Sequence, residues 1–294
     1  MIYILLNILA SVVLLVIFKL FDKFKVNSLH AIIVNYITAS VTGLLFSKHS
    51  FDLETLYHSK WIFVSIPLGF LLISIFNLIS LTTQKISIST ASVANKMSVA
   101  MPVLFSVLVL NVELTIIKVA GIVLALAALY FATRSHDENK HIDKKLIWLP
   151  LLVFLGSGLI DTAINATNAF YIHNEQDSEM FTISSFFCAF VIGVFVLIFT
   201  FFRHRSQKKE TTFFEPKSIL AGIILGIPNY FSIFFIIKAL ESNVLNSAQL
   251  FPVLNISNVV LSALIGVLIF KENLSTQNKI GLALAVVAIF LITL

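Results

Sequence analysis

A chain of 294 residues with 58% hydrophobic side chains, 12% charged ones and a mean hydropathy of +0.98 holds too little polar material to solvate a globular core, which excludes a soluble enzyme. The net charge of +5 does not argue for a nucleic-acid partner, because the lysines and arginines fall in short segments between apolar runs and form no basic domain. A single cysteine, Cys188 in "FFCAFVIG", allows neither an intrachain disulfide nor a cysteine-based metal site.

Charged and turn-prone clusters divide the chain into ten apolar spans, at about 2–21, 29–47, 60–82, 86–110, 114–134, 146–171, 179–202, 218–240, 245–270 and 275–294. Each is near the roughly 20 residues that a membrane-crossing helix needs. The spans are continuously apolar and do not alternate with period two, so the expected fold is an all-α integral membrane protein and not a barrel. The first span has no basic residues before its apolar core, is too long for a signal-peptide core and lacks a small-residue cleavage pattern, so it is read as a retained helix. Tyr3, Tyr36, Trp61, Tyr130, Trp148 and Tyr171 lie in or near span ends, and most are expected at the membrane interface.

The fourth span, "ISISTASVANKMSVAMPVLFSVLVL", carries Lys96 in its middle. Read as one helix, it places the lysine more than roughly a dozen ångströms from either end, too deep to snorkel fully. A cation near the bilayer centre costs roughly 2.5–3.5 kcal/mol on insertion scales, so it is expected to face a partner or a wet cavity. Ser89, Ser92 and Lys96 are spaced by three and four and share a helical face, with Asn95 beside them. Pro102 cannot donate to the carbonyl of Ser98, which predicts a free acceptor one turn beyond the lysine. The plainer alternative is that the serines mediate packing and the proline only bends the helix.

The sixth span, "LGSGLIDTAINATNAFYI", aligns Ser157, Asp161, Asn165 and Asn168 on one face, and Asp161 is the one carboxylate away from all helix ends. It is the expected counter-charge of Lys96, although desolvation consumes much of the Coulomb gain of such a pair. Breaking the pair by protonation or by substrate would couple the site to the proton gradient; otherwise Asp161 merely neutralises the lysine. Further amides and a phenol sit in other spans: Asn7, Asn77, Asn229, Tyr230, Gln249, Asn255 and Asn258. Amides both donate and accept, which suits zwitterionic or polyhydroxy solutes. Pro228 and Pro252 are expected to break or bend the eighth and ninth spans. Glu113 and Glu272 are expected at helix starts, against the positive end of the dipole. His49, His58, His136, His141, His173 and His204 fall between spans and are expected to be solvated; no grouping has metal-ligand spacing, and no serine sits in a hydrolase elbow.

The chain also repeats itself. Residues 68–91 align without gaps with 225–248, and "VELTIIKVAGIVLALAA" aligns with "KENLSTQNKIGLALAVVA", setting Glu113 beside Glu272 and Gly121 beside Gly281. Five spans (1–134) precede a polar linker at 135–145 and five (146–294) follow it. An odd number of crossings per unit inverts the second copy in the membrane, the arrangement of many secondary transporters.

The stretches "MPVLFSVLVLNVELTIIKVAG" and "FPVLNISNVVLSALIGVLIFKENLSTQNKIG", each a proline-bearing helix, a turn with Glu and a helix opening on Gly, resemble the EamA-like transporters of the drug/metabolite transporter superfamily. The resemblance implies ten helices as two inverted five-helix repeats around a central cavity, alternating access, and lining by spans 1, 3, 4, 6, 8 and 9. The expected function is therefore a secondary transporter of a small organic metabolite, an amino acid or other carboxylate-bearing solute, in the bacterial cytoplasmic membrane. The alternative is an accessory protein or enzyme acting on lipid-linked intermediates. Candidate substrate-binding residues are Lys96, Asp161, Ser92, Asn95, Asn165, Asn77, Tyr230, Gln249 and Asn255. No cofactor or metal is expected; the partners are the solute, the bilayer and, if the pair titrates, protons.

Fifteen Lys and Arg residues fall on the side of the odd-numbered loops and four on the other. The positive-inside rule then places the odd loops in the cytoplasm and both termini outside, whereas the resemblance implies cytoplasmic termini. A Ser206→Cys variant in a Cys188→Ser background should resist impermeant maleimides added to intact cells, and labelling from outside would overturn the charge-based topology.

Overall fold

The computed structural model describes residues 1–49, 53–85, 88–133, 146, 148–206, 215–269 and 275–294. The linker at 135–145, Glu272, His136 and His141 lie outside them, as do the side chains of Ser89, Ser92 and His204. Among the described residues every regular element is helical: α1 (Ile2–Phe24), α2 (Ser28–Phe46), α3 (Leu53–His58), α4 (Ile62–Lys85), α5 (Ile88–Met97), α6 (Ala100–Leu108), α7 (Ile116–Thr133), α8 (Trp148–Phe170), α9 (Glu175–Ser206), α10 (Pro216–Glu241), α11 (Ser247–Leu268) and α12 (Thr276–Thr293). Among the described residues seven helices are long and apolar enough to cross a membrane, and Ile2–Phe18, Ala94–Leu108 and Ile116–Phe131 are shorter apolar stretches. Large side chains such as Leu5, Phe63, Phe70, Phe195 and Leu220 are exposed, as befits helices whose solvent is lipid.

Local chemistry sets the helix ends. Asn27, Asn246 and Ser275 cap α2, α11 and α12, the last two in reciprocal capping boxes with Gln249 and Asn278. Asn174 accepts the amide of Asp177 at 2.8 Å at the start of α9, and Pro216 opens α10, where its missing N–H is no loss. Asn243, just past α10, takes the left-handed conformation (φ 50°) that asparagine tolerates.

The fourth span is not one helix. It divides at Ser98–Val99 into α5 and α6, which leaves Lys96 in the last turn of α5. Pro102 is the cause, but the carbonyl it releases is not free: the Met101 amide donates to Ser98 O at 2.9 Å, a tighter i to i+3 turn. Pro228 and Pro252, expected to interrupt their spans, instead lie inside the uninterrupted α10 and α11. Glu113 lies three residues before α7 and not in its first turn, where the Thr115 hydroxyl accepts the Lys118 amide.

The chain forms two compact units: Met1–Ile4, Ile75–Ala169 and Ala239–Leu294 make one, Leu5–Ser74 and Phe170–Lys238 the other. Each draws helices from both sides of the polar linker. In the second unit α2 runs antiparallel to α9, because Tyr36 stacks on Phe186, the Ser40 hydroxyl donates to Ile183 O and Gly43 faces Ile183, while Ile33 faces Gly193. There α4 runs parallel to α9, with Trp61 against Phe181 and Gly69 against Cys188 and Ala189. In the first unit α7 runs antiparallel to α12: Gly121 meets Leu291 and Ile292 at one end, and the Asn278 amide reaches Phe131 O at the other. Also in this unit α6 runs parallel to α8, Met101 lying on Gly158 and Ser106 on Asn165. In these four pairs, spans five apart in the sequence reading are antiparallel and spans two or four apart are parallel.

Two of the aromatics expected at the interface are core residues. Tyr36 is fully buried in the middle of α2, and Trp61 is buried with its indole N–H donating to Asp177 Oδ1 at 3.2 Å. Trp148, Tyr130 and Tyr171 are exposed. Without lipid-excluded area to gain, membrane helices associate by close packing, so small residues at contacts matter most. A Cβ on Gly69 would stand 2.7 Å from the Ala189 amide nitrogen and from Cys188 Cβ. Gly69→Val should therefore lower stability in detergent by about 1–3 kcal/mol. Phe70→Leu, on the exposed side of the same turn, should stay within about 0.5 kcal/mol of the parent in the same thermal unfolding assay.

Candidate functional site

Lys96 is placed by the break that follows it. The Ser98 hydroxyl donates to Asn95 O at 2.6 Å and the Val99 amide to Lys96 O at 3.4 Å, so the carbonyls ending α5 are met locally. The last turn of a helix favours a cation, which offsets part of the cost of holding one here. The half-buried Lys96 Nζ donates to Asn255 Oδ1 of α11 at 3.5 Å, a long bond, and Asn255 Nδ2 donates to Phe251 O at 3.2 Å, which orients the amide.

Asp161, midway along α8, lies in the same unit and within the field of Lys96. The expected direct pair is absent, however: among the described residues Asp161 makes no ion pair or hydrogen bond, and the ammonium reaches the Asn255 amide instead. A proton-accepting oxygen on a fixed neutral amide competes for the ammonium without adding a second charge to be desolvated. The polar stripe on α8 has mixed roles. Asn165 is buried and donates to the Ser106 hydroxyl at 2.9 Å, which in turn donates to Pro102 O at 2.7 Å, so it ties α8 to the first turns of α6. Ser157 Oγ and Asn168 Oδ1 are buried atoms without a partner among the described residues, as is Asn258 Oδ1 on α11.

Of the other candidates, Asn95 and Asn77 are half-buried in this unit. Gln249 is structural: besides its capping box, its amide donates to Ile292 O at 2.6 Å, meeting an orphan carbonyl in the last turn of α12. The pattern Asn246-x-x-Gln249 carried that signal in the sequence. Tyr230 belongs to the other unit, where it is buried beneath Gly43 and stacked on Phe234 at 5.6 Å. Asn229 and Asn7 are there too, bonding Asn35 Oδ1 at 3.1 Å and Ser232 O at 2.6 Å.

One charged cluster has no counterpart in the sequence reading. The acids opening α9 each fasten a different element of the second unit. Glu175 pairs with the buried Lys238 of α10 at 3.1 Å; Asp177 holds Trp61 and the His173 amide; buried Glu179 accepts the Ser47 hydroxyl at 2.7 Å and His49 Nδ1 at 3.1 Å. His49 is thus a bonded residue and not a free loop histidine. The signal available was "EQDSE" at a helix start; what it would hold is decided by helices far away in sequence.

The model of the EamA-like transporter family matches residues 148–294. An uncharacterized protein of Haemophilus influenzae is 28% identical over 288 residues, covering 96% of this chain and 94% of that one. A crystal structure described only as that of a protein superposes with a TM-score of 0.74 at 14% identity, over 99% of this chain and 95% of the other, which shows a shared fold.

The Asn165–Ser106 bond provides a local test. Ser106→Ala leaves a buried amide N–H without its acceptor and should cost about 1–3 kcal/mol in thermal unfolding. Adding Asn165→Leu should recover part of the loss, so that the double-mutant cycle closes on a favourable coupling; additive effects would show the bond to be idle.

Proposed function

Because the chain belongs to the EamA-like transporter family, part of the drug/metabolite transporter superfamily, we propose that it is a secondary carrier moving a small carboxylate-bearing metabolite across the bacterial cytoplasmic membrane by alternating access. Members of the family are transporters and not enzymes, and this chain is a multi-pass membrane protein. The ten-span reading, with inverted repeats at 1–134 and 146–294, draws support from the helix pairs: α2 with α9 and α7 with α12 are each a span and its counterpart five crossings later, packed antiparallel.

The observation that carries the reading is the state of Lys96. Its ammonium is held by one long bond to a neutral amide, and Asp161, whose field it feels, is not bonded to it. A structural lysine would be expected in a bonded pair, since a membrane-buried charge left unmatched is expensive. A solute carboxylate supplies the missing charge and two acceptor oxygens, making a charge-assisted bond where Asn255 makes a neutral one. Asn255, which accepts from the ammonium, suits the solute's remaining polar groups, and Asn95, next to Lys96 in the chain, is a second amide available to them. Asn165 and Gln249 hold helices of this unit in place, and Tyr230 packs within the other unit.

Counterflow in proteoliposomes with a panel of labelled metabolites tests the reading. The native protein should exchange one or more carboxylate-bearing compounds, and Lys96→Ala should lower the rate roughly tenfold or more. Full activity in the variant would remove Lys96 from the mechanism.

A further inference from the structure

Two opposite charges share the first unit without touching, and this separation has a use. We propose that Asp161 is the proton-binding site of the carrier: its protonation leaves Lys96 uncompensated and draws the solute carboxylate to it, so that proton and solute move together. The inference rests on the carrier reading above.

A bare carboxylate within a helix bundle lowers its cost in one of two ways, by bonding a cation or by taking a proton. The first is not used: Lys96 Nζ is bonded to Asn255, and Asp161 has no donor among the described residues. Lys96 on α5 is the charged group whose field reaches Asp161; α6, which meets α8 at Gly158, has no titratable side chain, and α4 meets α8 at Gly156 through the apolar Ile75. A route for the proton follows the same face of α8. Ser157 Oγ, one turn before Asp161, and Asn168 Oδ1, two turns after it, are buried polar atoms that no described residue satisfies. Such atoms are met by water, and on one helical face they make stations on either side of the acid.

The charge balance gives the direction of coupling. With Asp161 ionised, the two side chains sum to zero and an added carboxylate meets its field. A proton passing from water to a carboxylate oxygen of Asp161 forms an O–H bond and leaves a net charge of +1; the solute carboxylate on Lys96 restores zero. Each ligand therefore strengthens the other, and by linkage the factor is the same in both directions, typically roughly 5- to 150-fold. A zwitterion whose ammonium took the place of the proton on Asp161 would reverse the sign and give exchange instead.

Two measurements on the full chain in liposomes test this. Infrared difference spectra between acid and alkaline buffer should contain a protonated-carboxyl band that is missing in Asp161→Asn and returns in Asp161→Glu; a band indifferent to these changes overturns the assignment, and the Glu variant separates loss of the site from loss of the fold. In vesicles carrying a pH dye and given labelled monocarboxylates and amino acids, solute and proton should enter together. An inward proton gradient should speed uptake roughly tenfold in the native chain and not at all in Asp161→Asn, whatever its residual rate. Protons leaving as solute enters, or a gradient effect that survives the substitution, would sink the proposal. If no compound moves through the native protein, the carrier reading fails, while the infrared result still decides the proton site.

Discussion

In hydrocarbon every backbone amide and carbonyl must find its partner within the protein, and the structure turns on how this chain meets that demand where the fourth span breaks. At Ser98–Val99 the ladder of α-helical bonds is interrupted by Pro102, and three bonds between residues three apart close the gap: Met101 N–H to Ser98 O, the Ser98 hydroxyl to Asn95 O, and Val99 N–H to Lys96 O. The break is thus local and complete, and it leaves the lysine at a helix end with α6 starting two residues after α5 stops. Ser106 repeats the device one turn further on by taking Pro102 O, and so offers its own oxygen to Asn165 of α8. Backbone repair, helix docking and placement of the charge are one connected set of bonds.

Helix association is managed by the same economy of small groups. Where α4 meets α9 and α7 meets α12, glycines let backbones approach to distances a methyl group would prevent. Polar residues then fix the register that apolar surfaces leave loose. In the second unit Asn7, Asn35, Asn229 and Ser232 form a buried chain of bonds across α1, α2 and α10, and the acids of α9 clamp the ends of α2, α4 and α10. Glu175 and Asp177 also lie at the positive end of the α9 dipole, so their charges are favoured where they stand.

The electrostatics of the first unit are the opposite of a clamp. Lys96 and Asp161 sense each other without bonding, and the lysine rests on an amide whose other end is fixed to Phe251 O. An arrangement of this kind gives up some stability, because a bonded pair would return more Coulomb energy, and it keeps both charges open to exchange with a ligand.

The sequence by itself determined the membrane class and the all-helical character of the chain, because continuous apolar runs have few physical solutions. Composition and spacing also put Asp161, Asn165 and Asn168 on one face of α8. Tertiary structure decided the partners. That the freed Ser98 carbonyl is recaptured by an amide three residues on, that Pro228 and Pro252 are absorbed without a break, that Gln249 serves α12 and that His49 serves Glu179 all depend on which helix lies alongside. The same holds for Lys96: its bond to Asn255, 159 residues away, and its separation from Asp161 are set by helix packing, about which a one-dimensional pattern of polarity carries no distance.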